Sequence, residues 1–109
     1  MAYSRQLADR LETMLVALSP TRKEMFGGVG YLLHGNMLCG VIGEDLILRV
    51  GVERVESLLA HPQARPFDMT GRPMKGWVVV DAQGVDNEES LHSWVDLGIK
   101  FANCLPPKK

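Results

Sequence analysis

Few side chains in this sequence combine the residue type and the spacing that chemistry requires. His92 and Asp96 are four residues apart on a predicted helix, a spacing that brings two side chains to one face. A metal ion needs at least a third protein ligand, and the sequence nominates none. The adjacent Ser93 cannot complete a Ser–His–Asp triad, because neighbouring helical residues point in different directions. We therefore predict a surface pair, with no catalytic residue, no metal site and no bound cofactor.

A glycine-rich stretch, Gly27-Gly28-Val29-Gly30, raises the question of a phosphate-binding loop. Such a loop needs a following Gly-Lys-Ser/Thr and a helix N-terminus, which supply positive charge to the phosphates. Here the glycines lead into Tyr31-Leu32-Leu33, a strand pattern, and Leu33 replaces the third glycine of the dinucleotide fingerprint. The glycines are therefore interpreted as backbone turns.

Basic residues concentrate in the middle of the chain and form the one candidate binding surface. If the loop around residues 65–75 folds beside the link at residues 22–23, a single basic face would contact phosphates or an acidic partner. The alternative, which we favour, is a solvated surface of mixed charge, because Glu24 and Asp68 interrupt the cluster. The candidate residues for the binding surface are Arg22, Lys23, Arg65, Arg72 and Lys75.

Two other residues keep a ligand-binding or enzymatic alternative open. Cys39 or Tyr31 could serve such a site if the fold brings either into a cleft, for example a pocket between the sheet and the helices. Cys39 and Cys104 have no CxxC or Cys/His spacing, so each is interpreted as a small hydrophobic residue in a reducing compartment. The expected location is the cytoplasm.

The elements that position these residues belong to one domain spanning residues 1–109. Hydrophobic residues make up 46% of the chain and charged residues 23%, which is typical of globular proteins. The net charge of -1 argues against a chain-wide attraction to nucleic acid, although a local basic face would still suffice for binding. No apolar run reaches the length of a membrane span, and the charged N-terminus does not resemble a signal peptide.

Periodicity predicts an α+β fold: an N-terminal helix, an antiparallel β-meander, a short helix, one or more further strands, and a C-terminal helix packed on the sheet. Ser4 is the predicted N-cap of the first helix, and Ser19-Pro20 its end. Strands are predicted at residues 24–26, 29–34, 37–42 and 46–50, with Gly35-Asn36 and residues 43–45 as turns. A short helix from residue 52, a loop or irregular edge strand over residues 63–76 and a strand at residues 77–80 complete this part.

The last helix is predicted from an apolar stripe that includes Leu91 and Trp94, with Asp86 as its N-cap. Gly98 lies within that stripe, where glycine costs about 1 kcal/mol relative to alanine. We interpret this glycine as a position where another backbone packs close to the helix. Trp94, Trp77 and Phe67 are expected to anchor the core.

Several motifs resemble the N-terminal domain of the TfoX/Sxy family. The most specific is Met25-Phe26-Gly27-Gly28-Val29-Gly30-Tyr31, followed by Gly35-Asn36-Met37 and then Asp45-Leu46-Ile47-Leu48-Arg49-Val50. The similarity continues through Arg65-Pro66-Phe67 and Met74 to Leu91-x-x-Trp94, so it covers nearly the whole chain.

The resemblance implies a regulator rather than an enzyme. The best-known members of this family look like regulators of natural competence that act on transcription alongside a cyclic-AMP-responsive activator. They carry a second, helical domain, for which this chain has no room, so a stand-alone domain is expected. The fold is also similar to that of YjbR-like proteins, which implies DNA binding as an option.

The expected function is therefore a regulatory or interaction module that binds a protein partner, or DNA, through the edge of its meander and the basic loop. A homodimer is a further option, because an open sheet has edges to cover. The alternative is a small ligand-binding protein or an enzyme with a pocket between sheet and helices.

Overall fold

The architecture is α+β, as the periodicity predicts. A computed structural model describes residues 3–25, 27–68 and 73–105, the side chains of residues 25, 73 and 74 excepted. The helices are α1 (Arg5–Leu15), α2 (Val52–Leu59) and α3 (Glu88–Asn103), and the strands are β1 (Thr21–Met25), β2 (Gly28–Leu33), β3 (Asn36–Ile42), β4 (Asp45–Arg49), β5 (Ala64–Asp68) and β6 (Pro73–Val80).

The six strands form one antiparallel sheet in the order β1-β2-β3-β4-β6-β5. Strands β1 to β4 make the predicted meander. Helix α2 then carries the chain past the sheet, so that β5 lies at the far edge and β6 returns between β5 and β4. Strands β1 and β5 are therefore the two edges, and of the two alternatives predicted for residues 63–76, a loop or an irregular edge strand, β5 matches the second. The next strand, β6, begins at Pro73 rather than at residue 77.

Two turns lie one residue away from their predicted positions. His34 and Gly35, with φ angles of 54° and 82°, form the loop between β2 and β3, while Asn36 already pairs with Leu33. A two-residue hairpin of this kind needs positive φ at both loop positions, and here histidine supplies one of them. Asp45 likewise pairs with Ile42 instead of completing the next turn.

Two other boundaries also differ from the prediction. Thr21 pairs with Leu32, so β1 includes residues 21–23, which the sequence suggested as a link. Asn87 rather than Asp86 caps α3, because its side-chain oxygen accepts a hydrogen bond of 2.8 Å from the Ser90 amide. The predicted cap of α1 is confirmed: the Ser4 hydroxyl accepts a hydrogen bond of 3.2 Å from the amide of the third residue after it.

All three helices contribute to one apolar core on a single face of the sheet, which we call the helix face. The register between β2 and β3 shifts at residues 31–32, so that Leu38 is an extra residue on β3. Leu38 and its neighbour Cys39 therefore both belong to the helix-face core, although consecutive strand residues ordinarily alternate between faces.

A smaller apolar cluster occupies the opposite face, which we call the second face. Its buried members are Ile47, Phe67 and Val79, and every described member of the cluster lies on a strand. Residues 46–48 and 78–80 are consequently buried on both sides of the sheet. Their unbroken apolar sequence is the pattern expected of strands that are covered on both faces.

Gly98 marks the closest approach of α3 to the sheet. A Cβ atom at this position would lie 2.8 Å from a Leu48 methyl carbon, 3.1 Å from a Leu38 methyl carbon and 3.2 Å from the Leu38 carbonyl oxygen. The prediction that another backbone packs close to this glycine is confirmed.

We expect Gly98→Ala to destabilise the protein by up to about 2 kcal/mol. The overpacking cost of about 1–3 kcal/mol exceeds the gain in helix propensity of about 1 kcal/mol. Urea denaturation would measure the change in the free energy of unfolding. Ser93→Ala, at an exposed position on the same helix, is the matched control and should be neutral or slightly stabilising. A Gly98→Ala variant as stable as the control would contradict the close packing.

Candidate interaction surfaces

The predicted basic surface is divided between the two edges of the sheet. Arg22 and Lys23 lie on β1, whereas Arg65 lies on β5, with four strands between them. Because neighbouring strands are about 4.8 Å apart, the two edges are separated by roughly 24 Å. Arg22, Lys23 and Arg65 therefore do not meet the condition for a single basic face, because β6 and not β1 is the neighbour of β5. Lys75 is exposed on β6, and Arg72 lies outside the described residues.

Arg22 is occupied by contacts within the chain. Its guanidinium donates a hydrogen bond of 2.5 Å to the Tyr3 hydroxyl and lies 3.5 Å from a Glu12 carboxylate oxygen and 3.8 Å from Glu24. A hydrogen bond with Tyr31 is the main reason that the pKa of Arg22 is raised. The charge of this residue is therefore largely matched by its neighbours.

Tyr31 anchors α1 to the sheet. Its hydroxyl donates a hydrogen bond of 2.7 Å to Glu12 on α1, and the residue is almost wholly buried. Burial, and then the Glu12 carboxylate, raise the pKa of Tyr31, so the hydroxyl remains protonated. Tyr31 borders a cavity of about 370 Å³ beside α1, which it shares with Glu12 and Arg22. In this setting it acts as a hydrogen-bond donor.

Arg65 on β5 is held by two carboxylates. It forms an ion pair of 2.6 Å with Asp45 on β4 and a second ion pair with Asp81, which follows β6. Asp45 also accepts a hydrogen bond of 3.3 Å from the Ala82 amide. All three charged side chains are partly exposed, at 29–49%. The three residues form a cluster with a net charge of −1, so Arg65 presents no surplus positive charge to a phosphate.

A cavity of about 310 Å³ lies on the second face beside this charged cluster. Ile42, Ile47, Phe67 and Val79 supply its apolar walls, and the acidic and basic side chains of Asp45, Arg65 and Asp68 stand at its rim together with Pro66. The sequence analysis did not find this site. The signal was present in the apolar runs at residues 46–48 and 78–80, which indicate a second buried face.

The two sheet edges differ in the hydrogen-bonding groups that they present. The amide of Asp81 donates a hydrogen bond to the carbonyl of Gln63. Hydrogen-bonded pairs alternate with non-hydrogen-bonded pairs along antiparallel strands, so the pair formed by Arg65 and Val79 is also hydrogen-bonded. The backbone groups of Ala64 and Pro66 consequently point outward. The Ala64 amide already donates to His61, and proline has no amide hydrogen. Within residues 64–66, the β5 edge therefore offers no free donor.

The β1 edge has free groups, and no described strand pairs with its outer side. Met25 pairs with Gly28 across a two-residue loop, and residues that flank such a loop exchange both hydrogen bonds. Hydrogen-bonded pairs recur at every second residue, so the backbone N–H and C=O groups of Lys23 also point inward, toward β2. The N–H and C=O groups of Arg22 and Glu24 must then point outward, where they are available to another strand.

The histidine and cysteine predictions have separate outcomes. Asp96 forms an ion pair of 3.1 Å with Lys100, so its described partner is not His92. No group of three potential metal ligands comes together in the described ranges. Across the same ranges, no helix is long and apolar enough to span a membrane. Cys39 is wholly buried, and burial raises the pKa of its thiol to about 12, whereas Cys104 is exposed.

We expect the native protein to expose one reactive thiol at pH 8, and two after unfolding in denaturant. Cys39 stays protonated and shielded because its pKa is about 12, and only a thiolate attacks a disulfide reagent. A colorimetric thiol assay would count the groups. Cys104→Ala should remove the native reaction, and Cys39→Ala should leave it unchanged. A second fast-reacting thiol in the native protein would contradict the burial of Cys39 and restore the thiol-enzyme alternative.

Comparison with known families accounts for this fold. A family model described as the TfoX N-terminal domain matches residues 18–102, a range that includes all six strands, α2 and nearly all of α3. Comparisons with curated proteins and with solved structures find no match. The resemblance to TfoX/Sxy proteins is thus confirmed at the level of this domain. The match covers well over half of the sequence, and the chain belongs to the TfoX N-terminal domain family.

Proposed function

We propose that this protein is a non-enzymatic regulatory module that binds an extended segment of a partner protein as an additional strand beside β1. Membership of the TfoX N-terminal domain family supports a regulatory or interaction role. The observation that carries the proposal is the difference between the edges, since β1 presents free amides and carbonyls whereas residues 64–66 of β5 present no free amide. An exposed sheet edge is a common receptor for extended peptides, because main-chain hydrogen bonds supply affinity.

Side chains on β1 would add specificity to this backbone contact. Arg22 pairs with Tyr31, a member of the helix-face core, so Arg22 and Glu24 flank that face of the added strand. Lys23 pairs with Gly30 and lies on the second face. A partner strand with an acidic residue opposite Lys23 would be favoured over one with a basic residue there.

A second copy of this chain is a less favourable occupant of the β1 edge. Antiparallel self-pairing centred on Lys23 would place Arg22 opposite Glu24 of the second copy, which is favourable. The same register would put the two Lys23 side chains directly opposite each other, and like charges at that position are destabilising. Edge lysines are a common device against pairing of this kind. This charge conflict favours a different protein as the partner.

We expect Glu24→Pro to reduce capture of the partner at least tenfold, because proline removes the outward amide without removing an internal ladder hydrogen bond. The measurement is a pull-down from lysate of the native host, with the captured protein quantified by mass spectrometry. Glu24→Ala is the matched control, since it removes the same charge but retains the amide, and it should capture within about twofold of the original chain.

Equal capture by the proline and alanine variants would rule out strand addition at β1. Thermal denaturation of both variants is needed to show that the sheet is intact. Light scattering provides the test for self-pairing. A dimer that Glu24→Pro converts to a monomer would show that a second copy occupies the β1 edge. A monomer in both forms of the chain would support a different protein as the partner.

DNA binding is the alternative partner class, and the charge distribution makes it the weaker candidate. Arg22 and Arg65 are paired with carboxylates and lie at opposite edges. We expect a fluorescence titration with a labelled duplex at low salt to show no saturable binding, since phosphate contacts are strongest there. Binding that weakens with added salt and on Arg65→Ala, Arg72→Ala or Lys75→Ala would overturn this expectation and favour a DNA-binding module.

A further inference from the structure

We propose that the cavity on the second face receives a single basic side chain, a lysine or an arginine of a partner protein. This site lies at the β5 side of the sheet, away from the β1 edge, so the inference does not depend on strand addition there. Four observations carry it: the size of the cavity, its apolar walls, the charges at its rim and its position beside the β5 edge, where residues 64–66 offer no free amide.

The size of the cavity limits what it holds. Its volume of about 310 Å³ is at the lower end of the range of roughly 300–1,000 Å³ found for small-molecule sites. This space suits one long side chain better than a nucleotide or another large cofactor. The walls formed by Ile42, Ile47 and Val79 would pack against an aliphatic stem, which lysine and arginine both possess.

The charges at the rim select the sign of the head group. Arg65 is the one cation among the described lining residues, and it is already paired with Asp45 and Asp81. Asp68 is exposed and has no ion pair within 4 Å among the described residues. Within the described part of the chain, these four charges sum to −2. A carboxylate or phosphate ligand would be repelled, and a neutral apolar ligand would leave Asp68 without a partner.

Lys75 is the nearest other cation on the neighbouring strand, and it is exposed and does not line the cavity. Among the described residues, Asp68 therefore remains the carboxylate at the rim without an ion pair. It lies at the end of β5 and lines the cavity, so it is available to the ammonium or guanidinium group of an inserted side chain.

The blocked edge of β5 indicates how a partner would approach. Arg65, Pro66, Phe67 and Asp68 all belong to this edge strand and all line the cavity. A polypeptide passing along the edge finds no free backbone donor at residues 64–66, so it cannot be bound there as a regular added strand. The amides of residues 64–66 therefore do not contribute to recognition at this edge, and the cavity provides a receptor for a side chain.

The test is an NMR titration of the isotope-labelled full chain with n-butylguanidinium and n-butylammonium, and with n-butanol and butyrate as matched neutral and anionic probes. We expect the two cations to shift the amide signals of Ile42, Ile47 and Val79 in a saturable manner. Asp68→Asn should weaken the binding of the two cations by roughly threefold to fivefold, the size expected for a partly exposed ion pair. Asp86→Asn, at an exposed position before α3, is the control and should have no effect.

A peptide distinguishes the protein source from a free amine. Acetyl-Gly-Gly-Arg-Gly-Gly-amide should produce the same shifts, and its alanine counterpart should not. Equal binding of n-butanol or butyrate, or an absence of shifts from every probe, would overturn the proposal. Shifts from the free cations but not from the arginine peptide would also overturn it and would assign the cavity to a small amine. None of these results bears on capture through Glu24, so failure here is distinguishable from failure at β1.

Discussion

The register of the β-meander is the constraint on which the other features of this protein depend. A slip of one residue would exchange the two faces of a strand, since side chains alternate with a period of two. Two-residue loops prevent that slip by tying Met25 to Gly28, Leu33 to Asn36 and Ile42 to Asp45. This register places Tyr31 against α1, turns the backbone groups of β1 outward and puts Asp45 within reach of β5.

The apolar content of the central strands divides between two clusters of unequal size. The larger one contains the apolar faces of all three helices and buries Cys39, and this burial raises the pKa of its thiol. The smaller one consists of strand residues alone and borders a cavity. A sheet with an apolar second face and no described helix on it has a surface suited to recognition, because its walls are already formed without a ligand.

Charge pairing and strand order together keep Arg22 and Arg65 from forming one basic surface. The arginines on both edge strands are held by carboxylates from other elements, Glu12 for Arg22 and Asp45 for Arg65. Glu12 and Asp45 belong to other elements, α1 and β4, so a count of the charges near each arginine in the sequence could not reveal these two partners. Among the described residues, the rim of the second-face cavity is acidic, whereas the linear sequence suggested a basic surface in this part of the chain.

Local patterns were sufficient for the elements of the fold and for the family. Glycine-containing turns, the Ser4 cap and the apolar stripe of α3 depend on interactions within a few residues, so their positions were predicted to within one to three residues. Such patterns carry no information on the order of strands in the sheet. The placement of β6 between β4 and β5, and of β1 at the opposite edge, is a non-local result of packing.

Both candidate surfaces follow from that placement, and neither is visible in the sequence itself. By itself, the sequence determined the α+β class, the meander and the kinship with TfoX N-terminal domains, because each depends on local backbone geometry or on motif identity. Only the tertiary structure decided which edge is free, which arginines are neutralised and where a cavity opens. These properties arise from contacts between residues such as Asp45 and Arg65, which are 20 positions apart along the chain and adjacent only after folding.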